Sequence, residues 1–298
     1  MVVTRRDFLR YCTSSAVALG LSSLELESMA NTLAGPGAPT VLWLQGSGCT
    51  GCSISFLNYS SSSAPHDPSE VLIDTINLAY HPNLMAGAGQ TAVSAAQQAY
   101  AAGGYVLVVE GGVPTAFGGN ACWPWTEGGH EVTFQEAVTR LSDRAAAIIC
   151  AGTCAGWGGI FSAPPNPTQV KGVSEVTGKT TINVPGCPPH PDWIVWVIAQ
   201  LVAGQQVTLD SHGRPSSLFY RRVHETCPLR YTNEAHDWGN ENLCKDELGC
   251  RGKRSEVKAP CPSQYFNDGV EWCVGAGSLC MGCVEPTFPG FAPLFEED

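Results

Sequence analysis

The chain has 298 residues, 44% hydrophobic and 14% charged, enough for a sizeable core and too apolar for a disordered chain. Its formal net charge of −11 argues against nucleic acid as a partner, because phosphates would repel it. The 33 glycines, 21 prolines and 14 cysteines suit tightly turned loops around inorganic centres better than a plain helical bundle.

Residues 1–30 read as an export address. Thr4-Arg5-Arg6-Asp7-Phe8-Leu9-Arg10 resembles the twin-arginine motif, an apolar stretch from Ala16 to Leu24 follows, and Ser28-Met29-Ala30 offers a small-residue cleavage site. The apolar stretch is too short for a stable span, and no later segment reaches about 18 uninterrupted apolar residues. The expectation is a soluble, periplasmic mature protein with no transmembrane segment, exported already folded. Residues 31–39 form a linker rich in Gly and Pro.

Strands then alternate with helices. Val41–Leu44 is a buried strand ended by Gly46 and Gly48, and Val71–Leu78 reads as a second. Ala92–Ala102 is helical. Tyr105–Val109 is a third strand, Phe134–Ala147 a helix, Ala147–Cys150 a fourth strand and Thr181–Val184 a fifth. Pro191 opens an apolar helix over Trp193–Val202. This alternation predicts a mostly parallel sheet covered on both faces, with ligands beyond the carboxyl ends of the strands. From about Asp210 the periodicity fades and Cys, Pro and Gly dominate. The expected organisation is a sheet domain over 40–209 and a loop-rich domain over 210–298.

Charge is unevenly placed. Arg214–Lys258 carries 9 Lys/Arg against 7 Asp/Glu, while the rest of the mature chain has 4 against 17. This segment is either a docking surface for a charged redox partner or an ordinary mixed-charge surface.

The cysteines fall into three groups of four ligands. Set one is Cys49, Cys52, Cys154 and Cys187, each just after a predicted strand and so able to meet at one sheet edge. Set two is His224, Cys227, Cys244 and Cys250, and set three is Cys261, Cys273, Cys280 and Cys283. Cys187, Cys227 and Cys261 each precede Pro, as in bacterial ferredoxins. Iron–sulfur clusters take four thiolates, with His an occasional substitute. Disulfides and structural zinc compete for such cysteines. Disulfides mainly staple domains with poor cores, and folding before export takes place in a reducing cytoplasm. Cys12 leaves with the signal, and Cys122 and Cys150 read as buried thiols.

Five stretches together resemble the small subunit of nickel–iron hydrogenases: Leu44–Cys52, Val109–Thr115, Ala151–Cys154, Val184–Pro189 and the His224-to-Cys283 array. The resemblance runs over essentially the whole mature chain. It implies a flavodoxin-like domain followed by an irregular cluster domain. It implies that set one holds a proximal, set three a medial and set two a distal cluster. Hydrogen would be split, or protons reduced, in a separate large subunit, and electrons would pass through three clusters to an external carrier such as a c-type cytochrome. No catalytic residue is expected here.

Two departures carry consequences. Many relatives have Pro where this chain has Cys273; the fourth thiolate predicts a medial 4Fe–4S rather than 3Fe–4S cluster, beside 4Fe–4S proximal and distal ones. With Pro189-His190-Pro191-Asp192, this resembles the nickel–iron–selenium subclass. Gly51 and Gly159 stand where oxygen-tolerant relatives have two further cysteines, so an ordinary proximal cluster is expected.

His224 is expected to ligate iron and to face the surface. Glu110 ends a strand near set one, where it tunes the cluster, bonds the large subunit, or simply pairs with backbone N–H groups. His81, His190 and His236 read as structural. Trp123, Trp125, Trp193 and Trp196 read as core or interface residues. The rival functions are an iron–sulfur subunit of another oxidoreductase, which the His224-to-Cys283 array argues against, and a disulfide-rich secreted binding module.

Overall fold

The computed structural model describes residues 38–62, 65–240, 242–253, 257–266 and 270–290. The export signal and most of the linker lie outside the described residues.

Five strands build one parallel sheet: β1 (Thr40–Gln45), β2 (Asn77–Tyr80), β3 (Val106–Glu110), β4 (Ala147–Ala151) and β5 (Ile182–Val184). Their order is β2-β1-β3-β4-β5, the flavodoxin-like winding. Side chains alternate between faces, as a pleated strand requires. Val41, Trp43, Val106, Val108 and Ile149 enter one apolar core, while Leu42, Leu44, Leu107, Val109 and Ile148 enter the other. Both faces are buried, which is why these strands read as continuous apolar runs.

Helices cover the sheet: α1 (Gly51–Leu57), α2 (Gln90–Ala102), α3 (Phe134–Ser142), α4 (Thr153–Trp157), α5 (Val173–Thr177) and α6 (Pro191–Val202). In α3 the Thr133 hydroxyl accepts from the Glu136 N–H at 3.1 Å as an N-cap, and Phe134, Ala137, Val138 and Leu141 form the buried stripe. The helix stops at Ser142, short of the expected Ala147, because Ala147 already belongs to β4.

The second strand departs most from expectation. Val71–Thr75 is a π-helical turn, and β2 starts only at Asn77. The cause is local: the Asp67 carboxylate accepts from the N–H groups of Ser69 and Glu70, and Pro68 sits at the first helical position. This cap starts a helical turn that carries Val71–Thr75 with it. A small hairpin, Trp125–Glu127 with His130–Val132, turns on Gly128 and Gly129, both at positive φ.

After α6 the chain is mostly irregular, with only α7 (Val223–Thr226) and α8 (Cys261–Gln264) among the described residues. Its apolar residues Val223, Val257, Ala259, Trp272, Val274 and Val284 join the same core as Trp43 and Val108. The irregular segment is therefore packed on the α6 side of the sheet. Arg214 pins it there. Its buried guanidinium bonds Asp210 at 2.8 Å, Glu285 at 2.7 Å and the Val284 carbonyl at 3.1 Å.

Candidate functional site

Gln45, Glu110 and Ala151 stand in one register row, and Ala151 pairs with Val184. The chain therefore leaves β1, β3, β4 and β5 at one level of one edge. Cys49 and Cys52 follow β1, with Cys52 in the first turn of α1; Cys154 lies in α4 after β4; Cys187 follows β5. Cys52 lies in the electrostatic field of the other three thiols, and Cys154 in that of Cys187 and Cys49. Set one is thus brought together.

The backbone is shaped around these sulfurs. A Cβ on Gly152 would stand 2.4 Å from the Cys52 sulfur, and one on Gly159 would stand 2.8 Å from that of Cys154. Both glycines have positive φ, so substitution is opposed twice over. A Cβ on Gly51 would also come close, at 3.0 Å from the Cys49 sulfur.

Set three lines a cavity of about 510 Å³. Cys261, Cys273, Cys280 and Cys283 all face it, with Cys187 at one side, and most of the remaining wall is apolar, including Val223, Val257, Phe266 and Trp272. Cys261 interacts electrostatically with the other three thiols. In set two, Cys227 interacts with Cys250 and Cys244. His224 lies in α7, whose C-cap is Cys227; it is half-buried and close to Arg230, Lys253 and Asp246.

Burial is the main reason that the thiols of Cys154 and Cys283 are pushed up to about 12, and those of Cys52 and Cys261 also rise. Iron entering here must displace the protons of these four thiols. Among the described residues, no three His, Cys, Asp or Glu side chains close around one ion. Four thiols around a roomy apolar cavity fit a cluster, which is larger than an ion and is held by thiolates.

Set three touches both of the other sets. The Cys280 N–H donates to the Cys250 sulfur at 3.4 Å, and Cys187 lines the set-three cavity together with Cys283. Set three therefore lies between set one and set two. The Thr153 hydroxyl adds a clamp: it donates to the Cys283 carbonyl and accepts from the Gly186 N–H at 2.9 Å.

Cys150 is fully buried, as expected, and Cys122 half-buried. Trp125 and Trp193 are core residues, while Trp123 is exposed. His190 caps α6, accepting the Asp192 N–H at Nδ1 and donating from Nε2 to the Tyr265 carbonyl, so it ties the Cys187 loop to the α8 segment. His236 pairs with Glu247 on the surface. Glu110 does accept backbone N–H groups, those of Cys52 and Ser53. Ser53 escapes the sequence patterns, while Gly152 and Thr153 lie within the Ala151–Cys154 stretch without a role assigned to them there. Nothing marks Ser53 or Thr153 among other hydroxyl residues, but Gly152 directly after a buried strand is a usable signal.

A family model described as NADH ubiquinone oxidoreductase, 20 Kd subunit, matches residues 49–201, and one for the C-terminal part of the NiFe/NiFeSe hydrogenase small subunit matches residues 219–296. The periplasmic [NiFe] hydrogenase small subunit of Solidesulfovibrio fructosivorans is 37% identical, over 99% of this chain and 93% of its own length. The periplasmic [NiFeSe] hydrogenase small subunit of Desulfomicrobium baculatum is 36% identical over 99% of each chain. Among solved structures, the [NiFeSe] hydrogenase from Desulfovibrio vulgaris Hildenborough superposes with a TM-score of 0.80 at 36% identity, covering 89% of this chain and 99% of that one. The first family model alone would also suit another oxidoreductase; the second, over the cysteine-dense tail, separates the two. The chain belongs to the small-subunit family of nickel–iron and nickel–iron–selenium hydrogenases, a family of electron-transfer subunits that carry iron–sulfur clusters.

Proposed function

We propose that this chain carries three 4Fe–4S clusters between the large subunit's hydrogen-activating site and an external carrier. Cys49, Cys52, Cys154 and Cys187 hold the proximal one; Cys261, Cys273, Cys280 and Cys283 the medial one; His224, Cys227, Cys244 and Cys250 the distal one. When bound, such clusters supply one-electron oxidation and reduction. The protein's part is placement. Three strand ends and α4 hold set one at a common edge, mostly apolar walls line set three, and α7 holds His224 half-buried.

The observation that carries the reading is the contact of set three with both neighbours: the Cys280 N–H···S bond to Cys250 at 3.4 Å, and Cys187 lining the set-three cavity with Cys283. They support the order set one, set three, set two, with His224 at the outer end. The two family matches, 49–201 and 219–296, support a division into a sheet domain over 40–209 and a cluster domain over 210–298. The periplasmic relatives and the twin-arginine-like start favour folded export to the periplasm, with a c-type cytochrome as the kind of carrier. Among the described residues no helix is long and apolar enough to cross a membrane.

Iron and sulfide analysis of the purified heterodimer tests this: about twelve irons per small subunit are expected, and fewer than about eight overturns a three-cluster reading. A disulfide-bonded binding module would hold none.

A further inference from the structure

Glu110 ends the central strand β3 and is 2% exposed. Its Oε1 accepts the N–H groups of Cys52 at 3.0 Å and Ser53 at 3.2 Å. Its Oε2 accepts from Trp43 Nε1 at 3.1 Å, Gln45 Nε2 at 3.1 Å and Ser53 Oγ at 2.5 Å. All five neighbours donate. A hydroxyl hydrogen on either oxygen would have no acceptor to meet, so the donor set is built for a carboxylate.

The donors are themselves fixed. The Asn83 N–H donates to His81 Nδ1 at 3.1 Å, which puts the ring proton of the neutral imidazole on Nε2. That proton points to Ser53 Oγ at 3.1 Å, and Gln45 Nε2 donates to the same oxygen at 2.8 Å. Both acceptor positions of the Ser53 hydroxyl are then filled, and its single proton goes to Glu110. Asn83 also holds Gln45, donating to its Oε1 at 2.8 Å. His81 is completely buried, and burial lowers its pKa to about 4, so it stays neutral and keeps this orientation.

A buried carboxylate carries a desolvation cost, which the five donors offset. This one stands directly behind Cys52, whose backbone N–H it accepts at 3.0 Å.

We propose that Glu110 is a positioning residue whose locked negative charge, oriented by Ser53 and His81, lowers the reduction potential of the centre held by set one. The inference rests on the reading of set one as the proximal-cluster ligands. Reduction adds one electron, hence one negative charge, next to a fixed anion in a low-dielectric interior. That repulsion disfavours the reduced form.

The test is an EPR-monitored redox titration of the purified two-subunit holoenzyme. Glu110→Gln keeps the shape and removes the charge. It is expected to raise the proximal midpoint potential by at least a tenfold change in the reduced-to-oxidised ratio, ~59 mV for a one-electron couple. The other two centres stay unmoved. Ser53→Ala removes one donor and keeps the charge, so its proximal potential stays level or falls. General loosening of the loop would move both variants upward. An unchanged potential in Glu110→Gln, or a rise in Ser53→Ala, overturns the inference. If Glu110→Gln does not assemble, the sign of the Ser53→Ala shift decides alone, a fall or level value supporting and a rise overturning. Failure of the underlying reading looks different: the wild type would lack set-one iron altogether.

Discussion

The backbone N–H of Cys280 donates to the sulfur of Cys250 at 3.4 Å, across the boundary between two tetrads. On the other side of set three, Cys187 lines the same cavity as Cys283. An N–H aimed at sulfur favours the thiolate and raises the potential of a centre that the sulfur binds. The Cys280 bond also fixes the relative position of sets two and three, because it uses a backbone group that cannot rotate away.

Cys273 faces the set-three cavity with Cys261, Cys280 and Cys283. With four thiolates, oxidised wild-type protein is expected to show no stoichiometric 3Fe–4S paramagnetic signal. Cys273→Pro leaves three thiolates and is expected to create that signal. EPR of the oxidised complex checks both, and a full 3Fe–4S signal in the wild type would remove Cys273 from the ligand set.

Gly152 has no room for a side chain, since a Cβ there would fall 2.4 Å from the Cys52 sulfur at φ +88°. Gly152→Ala should displace Cys52 and lose the set-one cluster while sparing the other two. The expected iron content falls by about a third, from about twelve to about eight per small subunit. Equal iron in variant and wild type counts against the crowding argument.

Much of this site is legible in the sequence because thiols announce themselves. Strands ended by glycine, with Cys soon after, point to Cys49, Cys52, Cys154 and Cys187 at one edge without any geometry, and the tail spacing points to Cys261, Cys273, Cys280 and Cys283, which line one cavity. What stays hidden are the groups between the sets. Ser53 and Thr153 look like any other hydroxyl residues until β3 brings Glu110 beside Ser53 and the tail brings Cys283 beside Thr153. The misplaced second strand has a different cause: a capping carboxylate at Asp67 overrides the apolar run of Val71–Leu78.

Thr153 illustrates the cost of losing such a group. Its hydroxyl serves the Gly186 N–H and the Cys283 carbonyl together, joining the set-one loops to the tail. Thr153→Val keeps the shape and leaves both backbone groups unpaired in a buried place. The expected loss is about 1–3 kcal/mol, read as a lower thermal unfolding temperature of the complex. An unchanged unfolding temperature would show that the clamp contributes nothing.

Arg214 makes the strongest claim on stability. Its buried guanidinium lies between Asp210 and Glu285, and the two carboxylates respond differently. Hydrogen bonds from Arg214 and its backbone hold Asp210 below its ordinary range despite the opposing effect of burial. Burial pushes Glu285 upward, and Arg214 only partly offsets it. Asp210 therefore adds stability above its unfolded pKa and loses it as pH falls; Glu285 does the reverse, favouring the fold at low pH. Arg214→Met removes the cation and leaves two partly buried carboxylates uncompensated, at an expected cost of about 3–5 kcal/mol near neutral pH. Without the guanidinium both carboxyl groups rise, and both are then protonated more readily in the folded chain than in the unfolded one. The variant's deficit against wild type should therefore shrink as pH is lowered from about 8 to about 5, the region where raised carboxyl groups titrate. Unfolding temperatures of the two proteins across that range test the sign. A deficit that grows toward acid would mean that the guanidinium is not what holds these two carboxylates in the ionised form.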